Sequence, residues 1–284
     1  MTDLTILNGD LRLAVSVHGP KEAPNILCLH GISNSRDTWQ ETVIHLQDRY
    51  RVWTLDFRGH GHSDRADSYL VGDYASDAAA VLEIINRPTI VVGHSLGGIV
   101  AVFLAQQPHH LVKAVFLEDP PMYLNEEVEW NKTLLSKVFP TLRDQQVAMQ
   151  QAGASFTEFV EFAANNPAVQ GGVIADHQTQ RHVDSNGAAL QRHDPSTWEP
   201  ALNMTMLAAI DNSDPLKVPS LLIRADETLG PAFLAGHDER FLASNPKSEV
   251  RMYEGAPHRI HATLASEARL LADLAVFIDE HSVE

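Results

Sequence analysis

The amino-acid sequence predicts an α/β fold, in which a mostly parallel, eight-stranded sheet carries helices on both faces. Short runs rich in β-branched and apolar residues alternate with helix-compatible runs, as expected for parallel strands joined by crossover helices. One block, residues 120–217, has no convincing strand and contains only helix-like segments and loops. We therefore predict a helical cap inserted between strands six and seven, with core segments 1–119 and 218–284 on either side; a second, independent domain is the alternative.

The individual elements follow from local residue patterns. Asn8-Gly9 is a favoured hairpin turn and joins the first two strands, and apolar residues at helical spacing between positions 78 and 85 indicate an amphipathic helix. The predicted strands are Thr5–Leu7, Leu11–Val17, Asn25–Leu29, Arg51–Leu55, Thr89–Val92, Val112–Leu117, Ser220–Ala225 and Glu249–Tyr253. The predicted helices are Thr38–Leu46 with Asp37 as N-cap, Tyr74–Ile85, Ile99–Gln107, Leu134–Phe139, Leu142–Gln151, Phe156–Ala164 and Ala262–Ile278.

Composition and charge limit the classes of partner. With 44% hydrophobic and 20% charged residues, the chain resembles an ordinary globular protein. Its net charge of −16 argues against nucleic acid and membrane surfaces as partners, so we expect a small-molecule substrate. The single cysteine, Cys28, excludes an intrachain disulfide and a cysteine-based metal site. Neither a secretory signal nor an apolar run of the ~20 residues that span a bilayer is visible, and we expect a cytoplasmic location.

The chemistry centres on Thr89–Gly98, where a strand runs into Gly-His-Ser-Leu-Gly and a helix-compatible run follows. In this context a G-x-S-x-G motif places its serine hydroxyl above the edge of the sheet. The serine backbone is expected to be strained by roughly 1–3 kcal/mol. Gly93 and Gly97 lack the Cβ atoms that would collide in so tight a turn. Ser95 is therefore the candidate nucleophile.

A serine hydroxyl is a weak nucleophile, and it needs a base that a third group orients. His258 directly follows the last predicted strand, which places it on the same edge of the sheet as Ser95. His261 is the competing candidate and is expected to begin the last helix. His30 and His94 lie in strand-end loops and are expected to shape those turns.

The orienting acid is predicted to be Asp226, which ends the strand Ser220–Ala225 and falls between the serine and the histidine in chain order. The alternative acid is Glu118, or its neighbour Asp119, after the strand Val112–Leu117.

Two backbone N–H groups are needed to hold the oxyanion of an acyl-transfer reaction. One is expected from Leu96, which follows the candidate nucleophile at the start of a helix. The other is expected from Ile32, in the loop after the third strand, where Gly31 permits close approach of the backbone. The histidines show no metal-binding spacing such as H-E-x-x-H, and we predict neither a metal nor an organic cofactor.

These motifs occur in the order found in α/β-hydrolase-fold proteins, and the chain resembles that superfamily across nearly all of its length outside the cap. Four segments carry the resemblance: His30-Gly31, Asp56–Asp64, Gly93–Gly98 and Gly255–His258. The resemblance implies an esterase-like or lactonase-like enzyme with Ser95 as nucleophile, His258 as base, and Ile32 and Leu96 as the oxyanion hole.

Two departures from the family pattern bear on these assignments. The strand before Asp226 lacks the Gly-x-x-Asp ending that usually carries the acid, although the segment is similar to that of some haloalkane dehalogenases, which have their acid here. Other members place the acid after the sixth strand, which keeps Glu118 open. Dehalogenases and epoxide hydrolases use an aspartate nucleophile, so Ser95 argues against both and favours esters, lactones, thioesters or activated C–C bonds.

The leading hypothesis is hydrolysis of a small carboxylic ester or lactone through an acyl-enzyme. The alternative keeps the same triad but cleaves a C–C bond in a ring-cleavage diketone, or carries out perhydrolysis. Four cap residues are candidate anchors for such polar substrates: Arg181, His182, Arg192 and His193. A non-catalytic ligand-binding protein on a hydrolase scaffold is disfavoured, because a binder needs neither Ser95 nor His258.

Overall fold

The computed structural model describes residues 1–107 and 109–282, so positions 108, 283 and 284 of the predicted core segments lie outside the described residues. The predicted fold class is confirmed, since the described strands form one eight-stranded sheet in the order β1-β2-β4-β3-β5-β6-β7-β8. The strands are β1 (Thr2–Asn8), β2 (Leu11–His18), β3 (Asn25–Leu29), β4 (Arg51–Leu55), β5 (Thr89–His94), β6 (Val112–Glu118), β7 (Ser220–Arg224) and β8 (Glu249–Met252). Strand β2 is antiparallel to β1 and β4, whereas the remaining neighbours pair in parallel.

Helices cover both faces of this sheet. They are α1 (Gln40–Leu46), α2 (Val71–Ile85), α3 (Leu96–Gln106), α4 (Glu127–Lys132), α5 (Leu135–Gln151), α6 (Phe156–Asn165), α7 (Gln180–Arg192), α8 (Trp198–Leu202), α9 (His237–Ser244) and α10 (Glu267–Ser282). Successive residues of a strand point to opposite faces, and β3 accordingly sends Leu27 and Leu29 into the core with α2 and α3 but Ile26 and Cys28 into the core with α1 and α10. Over the described ranges, no helix is long and apolar enough to cross a bilayer.

Three helix predictions need correction. Asp37 lies inside a 3-10 turn, Arg36–Trp39, whose N-cap is Ser35, so it does not cap α1. The two helices predicted on either side of Pro140 are the single helix α5, because an interior proline removes only one backbone donor and the helix continues through it. The last helix begins at Glu267 instead of position 262, since residues 260–262 form a separate 3-10 turn.

The segment between β6 and β7 contains α4 to α8 and, in place of a strand, one isolated bridge between Pro167 and Val173. Side chains of this segment line a cavity together with residues at the carboxyl ends of the core strands. Its division from the core at 119/120 and 217/218 stays a prediction.

Candidate active site

The turn between β5 and α3 holds Ser95 in a strained backbone conformation, with φ 51° and ψ −115°. Its amide donates a hydrogen bond of 2.9 Å to the carbonyl of Glu118, which ties the turn to the end of β6. A Cβ atom on Gly93 would lie 2.2 Å from the Gly97 carbonyl oxygen, and one on Gly97 would lie 2.1 Å from the Leu29 carbonyl oxygen. Both positions therefore require glycine for the strand and helix to meet at this angle.

The acid that contacts His258 is Asp119, in the loop after β6. Its Oδ2 lies 2.5 Å from Nδ1 of His258. The carboxylate is fully buried and also accepts backbone N–H groups from Ala225 at 3.2 Å, Ala232 at 2.8 Å and Phe233 at 3.3 Å. The carboxylate accepts the Nδ1–H of His258, which leaves the second ring nitrogen, Nε2, available as an acceptor.

The prediction that Asp226 orients His258 is wrong. Its carboxylate accepts hydrogen bonds from the Thr228 amide at 2.9 Å and the Gly255 amide at 2.8 Å. The Gly255 bond is the main cause of a lowered pKa of Asp226, followed by those from Thr228. Asp226 thus joins the loop after β7 to the loop after β8. The carboxylate next to His258 belongs to Asp119, which follows β6.

The alternative acid, Glu118, binds the other histidine. Its Oε1 accepts the His261 backbone amide at 2.9 Å and ring Nδ1–H at 2.8 Å, and the Thr38 hydroxyl lies 2.7 Å from the second ring nitrogen. Glu118 ends β6, whereas Asp119 follows it with a left-handed φ of 43°, and the two carboxylates contact different histidines. His261 is fully engaged behind the site.

Buried neutral histidines support the loops around Ser95. Nε2 of His94 lies 3.1 Å from the His258 carbonyl oxygen, and burial lowers the pKa of His94 well below its ordinary value. Burial likewise lowers the pKa of His30 to about 4, and its Nε2 accepts the Phe57 amide at 3.1 Å. His30 thereby joins the loops after β3 and β4, and His94 joins the end of β5 to the loop after β8.

The loop that carries Ile32 packs directly against the serine. A Cβ atom on Gly31 would lie 2.8 Å from Nδ1 of His94 and 3.2 Å from Cβ of Ser95. Ile32, Ser95 and Leu96 line one small pocket. Leu96 is the first residue of α3, so its N–H lies outside the hydrogen-bond ladder of the helix. Ile32 and Leu96 thus lie beside Ser95, and their role as oxyanion donors stays a prediction.

Ser95 and His258 line one cavity of about 560 Å³. No hydrogen bond joins Ser95 Oγ to His258 in the described part of the chain; such contacts can tighten when substrate binds. The smaller, apolar pocket of about 40 Å³ opens beside Ser95 and is lined by side chains such as Trp130, Phe139 and Met204.

The four predicted cap anchors lie outside the lining of the large cavity. Arg181 pairs with Glu41 at 3.3 Å and His182 with Glu267 at 3.1 Å. His193 is buried against Thr197 and carries no exposed polar surface. Any polar anchor must come from other residues.

Two cavity residues were missed from the sequence. Arg259 follows His258 directly, and its Nη2 donates a hydrogen bond of 3.2 Å to Oδ1 of Asn186 on α7. Adjacency to the predicted base was the one available signal for Arg259. Nothing in the sequence marks Asn186, because its position depends on how α7 packs over the core.

A mostly parallel sheet with a strained serine after β5 and an acid–histidine pair after β6 and β8 defines the α/β-hydrolase class. The family model described as alpha/beta hydrolase fold matches residues 24–263, and the chain belongs to this family. The protein is therefore an enzyme of the α/β-hydrolase family, as the sequence indicated.

Several relatives with curated names are hydrolases, esterases or lactonases. The bifunctional esterase/perhydrolase DCH of Acinetobacter calcoaceticus is 28% identical over 272 residues, which cover 92% of this chain and 93% of that protein. The 2-(acetamidomethylene)succinate hydrolase of Mesorhizobium japonicum is 34% identical over 118 residues, which cover 41% of this chain and 42% of that enzyme. A crystal structure of E-2-(acetamidomethylene)succinate hydrolase shares the fold, with a TM-score of 0.72 at 23% identity, over 98% of this chain and 99% of the other.

Proposed function

We propose that the protein hydrolyses small carboxylic esters or lactones through an acyl-enzyme formed on Ser95. The observation that carries this proposal is the 2.5 Å contact between Asp119 and His258 at a cavity that Ser95 also lines. A histidine held in the Nδ1–H form presents Nε2 as a base, which is what a serine hydroxyl needs to become nucleophilic. The proposed steps use protein groups and water.

In the first step, His258 Nε2 takes the Ser95 Oγ proton while Oγ attacks the carbonyl carbon. The amides of Ile32 and Leu96 donate to the oxyanion that forms, and a single such donor is worth roughly 3 kcal/mol in the transition state. His258 then protonates the departing alcohol oxygen, and the acyl group remains on Ser95. Water, deprotonated by His258, releases the acid product. Asp119 stabilises the imidazolium in both steps.

Perhydrolysis is a second candidate, and the long match to the Acinetobacter esterase/perhydrolase favours it. Hydrogen peroxide would replace water in the attack on the acyl-enzyme and release a peroxy acid. Assaying peroxy-acid formation from acetate and peroxide distinguishes this activity from simple ester hydrolysis.

The direct test is a panel of p-nitrophenyl acetate, butyrate and octanoate with several lactones, assayed with the unmodified protein and Ser95→Ala. We expect turnover by the unmodified protein and a loss of at least about 10³-fold in the variant, with an unchanged melting curve. The matched control is Ser76→Ala, an exposed serine on α2, which should keep full activity. Equal turnover by the two serine variants would refute the proposal.

A further inference from the structure

Arg259 is a cation without a carboxylate partner at the cavity. Its Nη2 bonds to the Asn186 amide oxygen, and no Asp or Glu of residues 1–107 or 109–282 forms an ion pair with it. Glu118 is the acid whose charge acts on Arg259, but its carboxylate is already held by His261. Burial lowers the pKa of Arg259 to about 10, so the group stays cationic near neutral pH.

The other arginines with little exposure have a carboxylate close by. Arg58 makes bonds of 2.9 Å and 2.7 Å to Asp77, and Arg224 lies 3.0 Å from Glu227. A charge removed from water is costly unless an opposite charge or good hydrogen bonds compensate it. Arg259 therefore lacks a compensating carboxylate, and it lines the large cavity.

The charges of the side chains that line the cavity also favour an anionic ligand. The chain has 37 acidic residues and a net charge of −16. None of the described residues that line the large cavity is Asp or Glu, and its formally charged side chains are Lys137 and Arg259. The side chains that line the cavity thus carry only positive formal charge, although Asp119 and Glu118 lie behind them, and this favours the entry of an anion.

We propose that Arg259 is a specificity-determining residue that binds a carboxylate carried by the substrate, so that the enzyme prefers acidic esters or lactones to neutral ones. The guanidinium matches a carboxylate with two parallel N–H···O bonds. Asn186 holds the guanidinium in place from the cap. This inference rests on the proposed reaction at Ser95, since the bound carboxylate would fix the scissile carbonyl of the same molecule there.

The test compares ester pairs that differ by one carboxylate. Monomethyl adipate against methyl hexanoate tests the acyl side, and 4-acetoxybenzoate against 4-acetoxytoluene tests the leaving-group side. We expect the unmodified protein to prefer the acidic member of at least one pair. Arg259→Gln should lower kcat/KM for that acidic ester by about 10-fold to 100-fold, mainly through KM, and change the neutral one less than twofold. Arg259→Lys should restore part of the preference.

The matched control is Arg181→Gln, which removes an equal charge outside the cavity and should leave both ratios unchanged. No preference in the unmodified protein, or an equal loss on both members in Arg259→Gln, overturns the inference. If none of the four esters is hydrolysed, calorimetric titration with adipate decides. If adipate binds the unmodified protein but not Arg259→Gln, the carboxylate site is supported although the proposed reaction has failed. If adipate does not bind the unmodified protein, the carboxylate site is refuted.

Discussion

The carboxylate of Asp119 lies 2.5 Å from Nδ1 of His258, although 139 positions separate the two residues in the chain. The contact exists because β6 and β8 end at the same edge of the sheet, where the carboxyl ends of parallel strands meet. Three backbone amides fix the carboxylate from the other side. The histidine is therefore held by residues that follow β6 and β7, and not by the helical segment between these two strands.

Replacing Asp119 with Asn should lower kcat by roughly 10³-fold or more, and the buried amide should also lower the free energy of unfolding by about 1–3 kcal/mol. The amide can donate to the imidazole and hold the wrong tautomer, which removes the free Nε2 base. Steady-state kinetics on the best ester of the panel measures the effect. The matched variant is Asp226→Asn, for which we expect kcat within about threefold of the unmodified protein. A larger loss of kcat in Asp226→Asn than in Asp119→Asn would show instead that Asp226, after β7, orients His258.

Replacing Glu118 with Gln should affect stability more than catalysis. Glu118 is fully buried and accepts both the backbone and ring N–H of His261. An amide in its place offers one acceptor fewer and buries a donor, which we expect to lower the free energy of unfolding by about 1–3 kcal/mol. Urea unfolding followed by circular dichroism measures this. Glu83→Gln, at an exposed site on α2, should change the free energy by less than about 0.5 kcal/mol.

The turn at Ser95 should not tolerate a side chain at Gly97. A Cβ there would lie 2.1 Å from the Leu29 carbonyl oxygen, whereas one at Gly72 meets no atom within 4 Å. Gly97→Ala should lower the unfolding free energy by about 1–3 kcal/mol or prevent folding, and Gly72→Ala should raise it by up to about 1 kcal/mol. Comparable melting temperatures for the two variants would contradict the tight packing at the turn.

Stability should fall as the pH drops from about 6.5 toward 4. Burial lowers the pKa of His30 from 6.5 to about 4, so the unfolded chain binds this proton before the folded one does. The neutral ring contributes its full stabilisation above pH 6.5, and this contribution is lost as the pH falls from 6.5 toward 4. At pH 5 the loss in the free energy of unfolding is about 2 kcal/mol for a fully buried histidine. Burial of His60, His94 and His193 acts in the same direction.

Urea unfolding at pH 7.5, 6.5 and 5 measures this loss. His30→Asn should give a smaller difference between pH 6.5 and pH 5 than the unmodified protein, although it is less stable at pH 7.5. The exposed His45 provides the control, since His45→Gln should leave the pH dependence unchanged. A midpoint that does not move between pH 6.5 and pH 5 would show that these rings do not remain neutral in the folded state.

Local patterns were sufficient for the fold class and for the turn at Ser95. The alternation of strands and helices depends on residues that are close together in the chain. Glycine is needed at position 93 because of a contact four residues along the chain, and at position 97 because of a contact with the adjacent strand β3. Helix ends were predicted less well. Asp37 has the composition of an N-cap, but the 3-10 turn at Arg36–Trp39 starts the structure one position earlier.

The amino-acid sequence by itself determined the mostly parallel sheet, the position of Ser95 between β5 and α3, and the place of His258 after β8. Only the tertiary structure decided that Asp119 contacts this histidine while Glu118 contacts another and Asp226 joins two loops. The physical reason is that several acids follow strand ends at one edge of the sheet. Which acid contacts a given imidazole depends on the direction of its side chain and on the packing of distant loops. Neither can be inferred from the order of these residues in the sequence.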